Sequence, residues 1–458
     1  MKIIIVGCGK VGRALVGTLS SDGHDIVAID TDPSVAAEIN NIYDVICVCG
    51  SGTDCDTLSE AGVEKADLFV SVTGSDEFNM LACFLAKRMG AGHTFARIRN
   101  PEYNDTGLGF MKQQLDISVA VNPEMLSAKE LANILKFPSA VNVETFSVRT
   151  FEMIELIMRD GSPLDGMSLA DIRKKYTGKY LVCAVRRGDD VFIPDGSFCL
   201  KIGDRIGITA APNEAQKLLR RIGILKKQAR NIMILGGSTT AFYLAKMLLA
   251  GGNSVKIIEL NRKRCEELSN ALPGATIING DGASQELLLE EGLRSVDAFV
   301  ALTGMDEENI LISIFASSQN VPKVIAKVNR EELAAMAERL GLESIVSPKN
   351  TTVNVVSRYA RALENSAGSN METLYRLMDG KAEAIEFIVK DSFKYKAVPL
   401  RDLITENNSL IAGIIRGRRS IIPTGEDVIL PGDKVVVLAA GLRISDLTDI
   451  VKGQRIQE

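Results

Sequence analysis

Three glycines give the first hint of chemistry. Gly7, Gly9 and Gly12 stand in the string GCGKVG, directly after the apolar run IIIV and ahead of a helical pattern. Alone, this spacing is a weak signal. Here it sits between a strand and a helix and is followed by Asp30 at the end of the next apolar run, the context of a phosphate-holding loop. Gly7 permits the tight turn, Gly9 lets a phosphate reach the backbone, and Gly12 lets helix and strand pack closely. The free N–H groups and positive end of the helix stabilise the phosphates. Asp30 suits a ribose diol and repels a 2′-phosphate, which disfavours NADP.

Further candidates belong at the carboxyl ends of the strands, where doubly wound sheets take their ligands. Cys8, Lys10 and Val11 lie in the glycine turn and Thr31 follows Asp30. Gly52, Thr53 and Asp54 come after the third strand, Thr73 and Gly74 after the fourth, and Arg97 within the fifth. Lys10 reads equally as a phosphate contact or a solvated lysine. Thr53 or Asp54 reads equally as a ligand contact or the N-cap of a helix over 56–62. Arg97 interrupts an apolar strand, and a buried charge needs a partner that a phosphate would supply.

The same constellation returns, altered, in the second half. Gly236, Gly237 and Ser238 occupy the turn, and Ala241 stands where the third glycine should be. Glu259 and Lys327 repeat the chemistry of Asp30 and Arg97, with Asp281, Gly282 and Thr303 completing the set. A Cβ at Ser238 hinders close approach of a pyrophosphate, so a weaker site, or one for a smaller adenine nucleotide, is expected.

A nucleotide site also raises the alternative of an NAD-dependent oxidoreductase. Hydride transfer usually recruits an acid/base group, often histidine. The chain has only His24 and His93, each just before a strand and so at the sheet edge opposite the ligand. No catalytic residue is therefore assigned, and binding without turnover is expected.

The elements that must position these residues read as a duplication. Gly7 recurs as Gly236 and Asp30 as Glu259, both 229 residues on; Thr73-Gly74 recurs as Thr303-Gly304, 230 on. Ile193-Pro194 and Gly203-Asp204 return as Ile422-Pro423 and Gly432-Asp433. Short apolar strands alternating with helical patterns over 1–137 predict a parallel sheet covered on both faces. Its last helix is expected from Asn122 as N-cap and Pro123 at the first helical position to about Phe137. Residues 138–225 read as a small α+β lobe, with a helix near Leu169–Tyr176 and hairpin turns at Gly188-Asp189 and Gly203-Asp204. The α/β fold expected is thus two tandem Rossmann-type doubly wound parallel-sheet domains, 1–137 and 230–365, each followed by a small α+β lobe, 138–225 and 370–458. Asn213–Arg230, with Arg220, Arg221, Lys226, Lys227 and Arg230, reads as a helical link with a solvated face or a partner surface.

Composition sets the outer limits. The 458 residues are 46% hydrophobic and 24% charged with a net charge of -5, which argues against a nucleic-acid partner. No apolar stretch is long enough to span a membrane and no leader pattern opens the chain, so a cytoplasmic protein is expected whose membrane role runs through a partner. The eight cysteines lack CxxC spacing, and no metal site is assigned. Cys47, Cys49 and Cys55 form the only cluster. Cys47 and Cys49 share a strand face; buried thiols are expected, with redox or metal chemistry as the alternative.

With these residues in view, both halves resemble the regulator-of-potassium-conductance (RCK) family. Gly7, Gly9, Gly12 and Asp30 match its Rossmann domain, and Arg187-Gly188, Ile193-Pro194 and Gly203-Asp204 match its lobe. The strings Ser75-Asp76-Glu77-Phe78-Asn79-Met80 and Ala96-Arg97-Ile98-Arg99-Asn100-Pro101 follow the pattern of its tandem members, the cytoplasmic subunits of Trk potassium uptake systems. The resemblance spans essentially the whole chain. It implies a non-enzymatic sensor that binds NAD(H) and ATP/ADP. It further implies a homotetramer carrying eight Rossmann units, docked beneath a Trk-type membrane potassium channel or transporter subunit.

Overall fold

The computed structural model describes residues 1–454 apart from 102, 104, 147–151, 225–227, 367–370, 379, 418, 443 and 445. The first unit runs β1 (Lys2–Val6), α1 (Lys10–Ser21), β2 (Asp25–Asp30), α2 (Pro33–Ile42), β3 (Ile46–Cys49) and α3 (Cys55–Glu60). It continues with β4 (Leu68–Ser71), α4 (Asp76–Arg88), β5 (His93–Arg97), α5 (Asp105–Gln114), β6 (Val119–Val121) and α6 (Pro123–Lys136). Its six strands are parallel in the order β3-β2-β1-β4-β5-β6. The strand order reverses at β1/β4, which opens a crevice over the glycine turn. Asn122 caps α6 through the Met125 N–H at 2.8 Å, with Pro123 in the first turn.

The first lobe holds β7 (Asn142–Thr145), β8 (Glu152–Ile157), α7 (Leu169–Lys175), β9 (Tyr180–Arg187), β10 (Asp190–Phe192), β11 (Arg205–Ala210) and α8 (Pro212–Arg221). Gly188, at φ +61°, turns the β9–β10 hairpin. Gly203-Asp204 is a turn but not a hairpin between neighbours. It ties back to Met158, and β11 inserts between β8 and β9. The expected helical link is also shorter than the sequence suggests. Helix α8 stops at Arg221, because Gly223 adopts the left-handed conformation that ends helices. Lys226 and Lys227 lie outside the described residues.

The second unit repeats the first: β12 (Asn231–Leu235), α9 (Thr239–Ala250), β13 (Ser254–Glu259), α10 (Arg262–Ala271), β14 (Thr276–Asn279), α11 (Gln285–Glu290) and β15 (Ala298–Ala301). Then come α12 (Asp306–Ser318), β16 (Lys323–Lys327), α13 (Glu331–Arg339), β17 (Ile345–Val346) and α14 (Pro348–Ser366), around a sheet of the same order. The second lobe contains β18 (Met371–Leu377), β19 (Ala382–Ile388), β20 (Leu403–Thr405), β21 (Ser409–Arg416), β22 (Arg419–Ile421), β23 (Lys434–Ala440) and β24 (Val451–Gln454).

The closing helices are exchanged between halves. Ala128, Leu131 and Leu135 of α6 pack with Ile232, Leu244 and Val300 of the second unit. In return, Val353, Val356 and Ala360 of α14 pack with Ile3, Leu15 and Val70 of the first. The two lobes share a further core in which Phe146 meets Tyr375 edge-on, their centroids 5.0 Å apart. Burial of this much apolar surface, at about 25 cal/mol per Å², joins both halves into one body.

Candidate functional site

The glycine turn owes its shape to backbone constraints. Gly7 sits at φ +89°, and its N–H donates to the Ile29 carbonyl at 2.9 Å. A Cβ at Gly12 would lie 1.9 Å from the Gly7 oxygen, so only glycine lets α1 start this close to β1. A Cβ at Gly9 would meet nothing within 4 Å. Gly9 is also the N-cap of α1 and provides no capping side chain, which leaves the helix start to an outside acceptor. Asp30 accepts the Cys8 N–H at 2.6 Å and the Asp32 N–H at 3.0 Å, which fixes its carboxylate at the end of β2.

A cavity of about 730 Å³ opens over this turn. Gly7, Gly9, Lys10, Val11, Asp30, Thr31, Gly52, Thr73, Gly74 and Arg97 all line it. Four other candidates do not. Cys8 is fully buried. Gly12 is packed beneath the turn. Thr53 bonds Ser51 at 2.9 Å, and Asp54 caps α3 through the Thr57 N–H at 3.0 Å, the structural alternative for that position.

The Arg97 side chain is held on one side only. Its Nη2 lies 3.5 Å from Glu124 Oε1, and the side chain is 16% exposed. Its buried Nε has no hydrogen-bond partner among the described residues, and burial pushes its pKa down against the pull of Glu124.

The opposite wall comes from the second half. Ser238, Thr239, Thr240, Lys327, Asn329, Pro348 and Lys349 face the same cavity. Lys327 was expected to serve the second cleft; the structure places it on the first.

The second cleft, about 510 Å³, is lined by Gly236, Gly237, Ser238, Glu259, Asp281, Gly282 and Thr303. Glu259 accepts the Gly237 N–H at 2.6 Å, as Asp30 does for Cys8. Unlike Gly9, Ser238 caps its own helix, accepting the Ala241 N–H at 3.4 Å.

Two buried pairs escaped the sequence reading. Asn79 accepts from Ser71 Oγ, the Thr73 N–H and Thr73 Oγ1 at 2.7–2.9 Å and donates to the Arg97 carbonyl at 2.8 Å. It thereby clamps the ends of β4 and β5 together. Asn309 does the same for Thr303 and Lys327. Asp76 and Asp306 hold the next backbone segments through Arg99 and Asn100, and through Asn329 and Arg330. Their repetition 230 residues apart was the available signal.

His24 is buried and precedes β2, while His93 begins β5 and bonds Tyr359 at 3.2 Å. Both stand at the amino ends of the strands, away from the cavity. Burial lowers the pKa of each. Among the cysteines, Cys8, Cys83, Cys183 and Cys265 are buried and Cys47 is half-buried. The expectation of buried thiols fails at Cys49 and Cys55, which are exposed: β3 is an edge strand and α3 turns Cys55 to solvent. Among the described residues no group of three or more His, Cys, Asp or Glu could hold a metal ion, and no helix is long and apolar enough to cross a membrane.

Comparison with known proteins gives a consistent pattern. The TrkA-N domain model matches residues 3–123 and 232–348, and the TrkA-C domain model matches 153–223 and 385–452. The Trk system potassium uptake protein TrkA homolog of Archaeoglobus fulgidus is 34% identical over 99% of this chain and 100% of its own length. Trk system potassium uptake protein TrkA of Vibrio alginolyticus is 31% identical over 98% of each. Among solved structures, the GsuK RCK domain superposes with a TM-score of 0.62 at 16% identity, over 96% of this chain and 92% of that one. The GsuK channel bound to NAD gives 0.61 at 16% identity over 96% and 77%. At such identity these two likenesses establish the fold.

Proposed function

The chain belongs to the TrkA family of Trk system potassium uptake proteins, and from that premise we propose that it is the nucleotide-sensing regulatory subunit of a membrane potassium transporter. In this reading it is built of Rossmann units over 1–137 and 230–365 with lobes over 138–225 and 370–458. Its first cleft binds NAD(H) or ATP/ADP without transforming it. The carrying observation is the glycine turn with the Asp30 carboxylate at one end of the cavity and the under-partnered Arg97 at the other.

The residues fit such a ligand. The uncapped start of α1 and the open face of Gly9 accept phosphate, Asp30 receives the ribose hydroxyls, and Arg97 and Lys10 supply positive charge. The ligand acts by binding two arrangements of the assembly unequally, since only differential affinity shifts an equilibrium. The assembly is a homotetramer on the inner face of the membrane, attached to a Trk-type channel subunit.

Potassium flux through the reconstituted complex, measured with ATP, ADP, NAD+ or NADH, tests the proposal. Different fluxes are expected. Equal flux under all four conditions, or consumption of NADH with a 2-oxo acid or aldehyde, would sink it.

A further inference from the structure

The distribution of charge between the two clefts is lopsided. Lys10, Arg97, Lys327 and Lys349 face the first cavity, against the carboxylates of Asp30 and Glu124. Asp30 already accepts two backbone N–H groups, and Lys349 pairs with Glu331 at 3.2 Å. The Lys327 ammonium makes no hydrogen bond or ion pair among the described residues, yet the residue is half-buried at the end of β16. Burial pushes its pKa down, against the pull of Asp306 and Glu124. A part-buried, unpaired ammonium beside an under-partnered guanidinium is costly unless an anion joins them.

The second cleft has the opposite balance. Glu259, Asp281 and Glu308 line it, with Arg264 the only cation among the described residues there, and Arg264 is held by the Gly237 carbonyl at 2.7 Å and Glu267 at 2.9 Å. Ser238 also occupies the helix-start N–H that a phosphate would use. The duplication thus delivers both strand-end cations, Arg97 and its repeat Lys327, to one cavity.

We infer that the chain binds a single phosphate-bearing ligand, in the first cleft, and that Lys327 reaches across from the second half to grip its phosphates together with Arg97. The ligand therefore bridges the halves, and the acidic second cleft takes no phosphorylated ligand. This rests on reading the first cleft as the adenine-nucleotide site.

Calorimetry of the full chain with ATP and with NADH tests it. One ligand per chain is expected. Lys327→Gln should weaken binding roughly 10- to 100-fold, the range for a charge-assisted hydrogen bond, and should flatten the salt dependence of Kd. Lys327→Arg should restore both, which separates charge from packing, and Glu259→Gln should leave affinity for the first ligand unchanged. Two ligands per chain would overturn the single-ligand reading of the second cleft, and unaltered binding by Lys327→Gln while Asp30→Ala abolishes it would overturn the bridging role. Absence of heat with the unaltered chain would overturn the first-cleft reading and the bridge together.

Discussion

The joint between the halves contains carboxylates that should make stability depend on pH. Glu130 of α6 accepts the Thr351 hydroxyl at 3.0 Å, and Glu144 of β7 lies 3.7 Å from Arg358 of α14. Glu155 of β8, 2% exposed, adds a third negative charge near Arg205 at 3.8 Å. Arg358 also stacks over Tyr375, which bonds the buried Glu386. Burial pushes both Glu130 and Glu144 up to about 7, against the pull of Arg358. The folded chain thus holds these protons more tightly than the unfolded chain, whose glutamates release them near 4.5. The stabilisation is complete below that value and is lost as pH rises through about 7. A difference of about 2.5 pKa units is at most about 3.4 kcal/mol per group. Glu144 is still 29% exposed, and solvent screening brings the working figure down to about 1–2 kcal/mol. Glu130→Gln keeps the acceptor for Thr351 but cannot ionise. Its melting temperature, taken beside the unaltered chain from about pH 4 to about 8.5, should match at the acid end, below about 4.5. It should exceed the unaltered value by about 1–2 °C at the alkaline end. A gap that stays constant, or one that opens toward acid, would refute the reasoning.

Three other perturbations have definite outcomes. Asp30→Asn replaces one of two carboxylate acceptors with a donor facing the Cys8 N–H, so NADH affinity by calorimetry should fall by about 1.5–3 kcal/mol with little loss of fold. Gly12→Ala puts a Cβ against the Gly7 carbonyl. It should abolish nucleotide binding and lower the urea midpoint by an equivalent of about 1–3 kcal/mol. Arg187 grips Asp204, 1% exposed, with two bonds of 2.7 Å, and the repeat pair Arg416–Asp433 has two of 2.8 Å. Asp204→Ala or Asp433→Ala should each cost about 1.5–3 kcal/mol in urea unfolding, because the arginine left behind is a third or more exposed, and a loss under about 0.5 kcal/mol would show the pair to be dispensable.

Local chemistry was the legible part of this chain. Asn122 and Pro123 announce a helix because a capping side chain and a preset φ act within one turn, and the structure starts α6 there. Gly223 was an equally local stop signal inside the stretch read as helical, and it outweighed the periodicity. What was not legible depends on contacts remote in sequence. The apolar stripe of α6 requires burial but does not say on which sheet, and it falls on the second. The offset of 230 residues gives Lys327 the chemistry of Arg97 without revealing that both face one cavity. Cys49 is exposed because β3 is an edge, which strand order decides and alternation alone does not.

The exchange of helices bears on how the proposed ligand of the first cleft would act at a distance. Three elements that wall this cleft cross between halves: α6 brings Glu124, α14 brings Lys349 and α9 brings Thr239. The glycine turn also begins α1, a helix of 12 residues and so about 18 Å long. At its far end Asp22 pairs with Arg376 of β18 at 2.9 Å and with Arg361 of α14 at 3.2 Å. Arg361 in turn reaches Glu383 of β19 at 3.3 Å. A packed helix moves as a rigid rod because its interior neighbours leave no space for local bending. Any shift that a ligand imposes on the glycine turn is therefore carried to the second lobe by α1, and to the second Rossmann unit by α6 and α9. A coupling of about 1–3 kcal/mol, the usual scale between distant sites, needs only a modest repacking of these shared contacts.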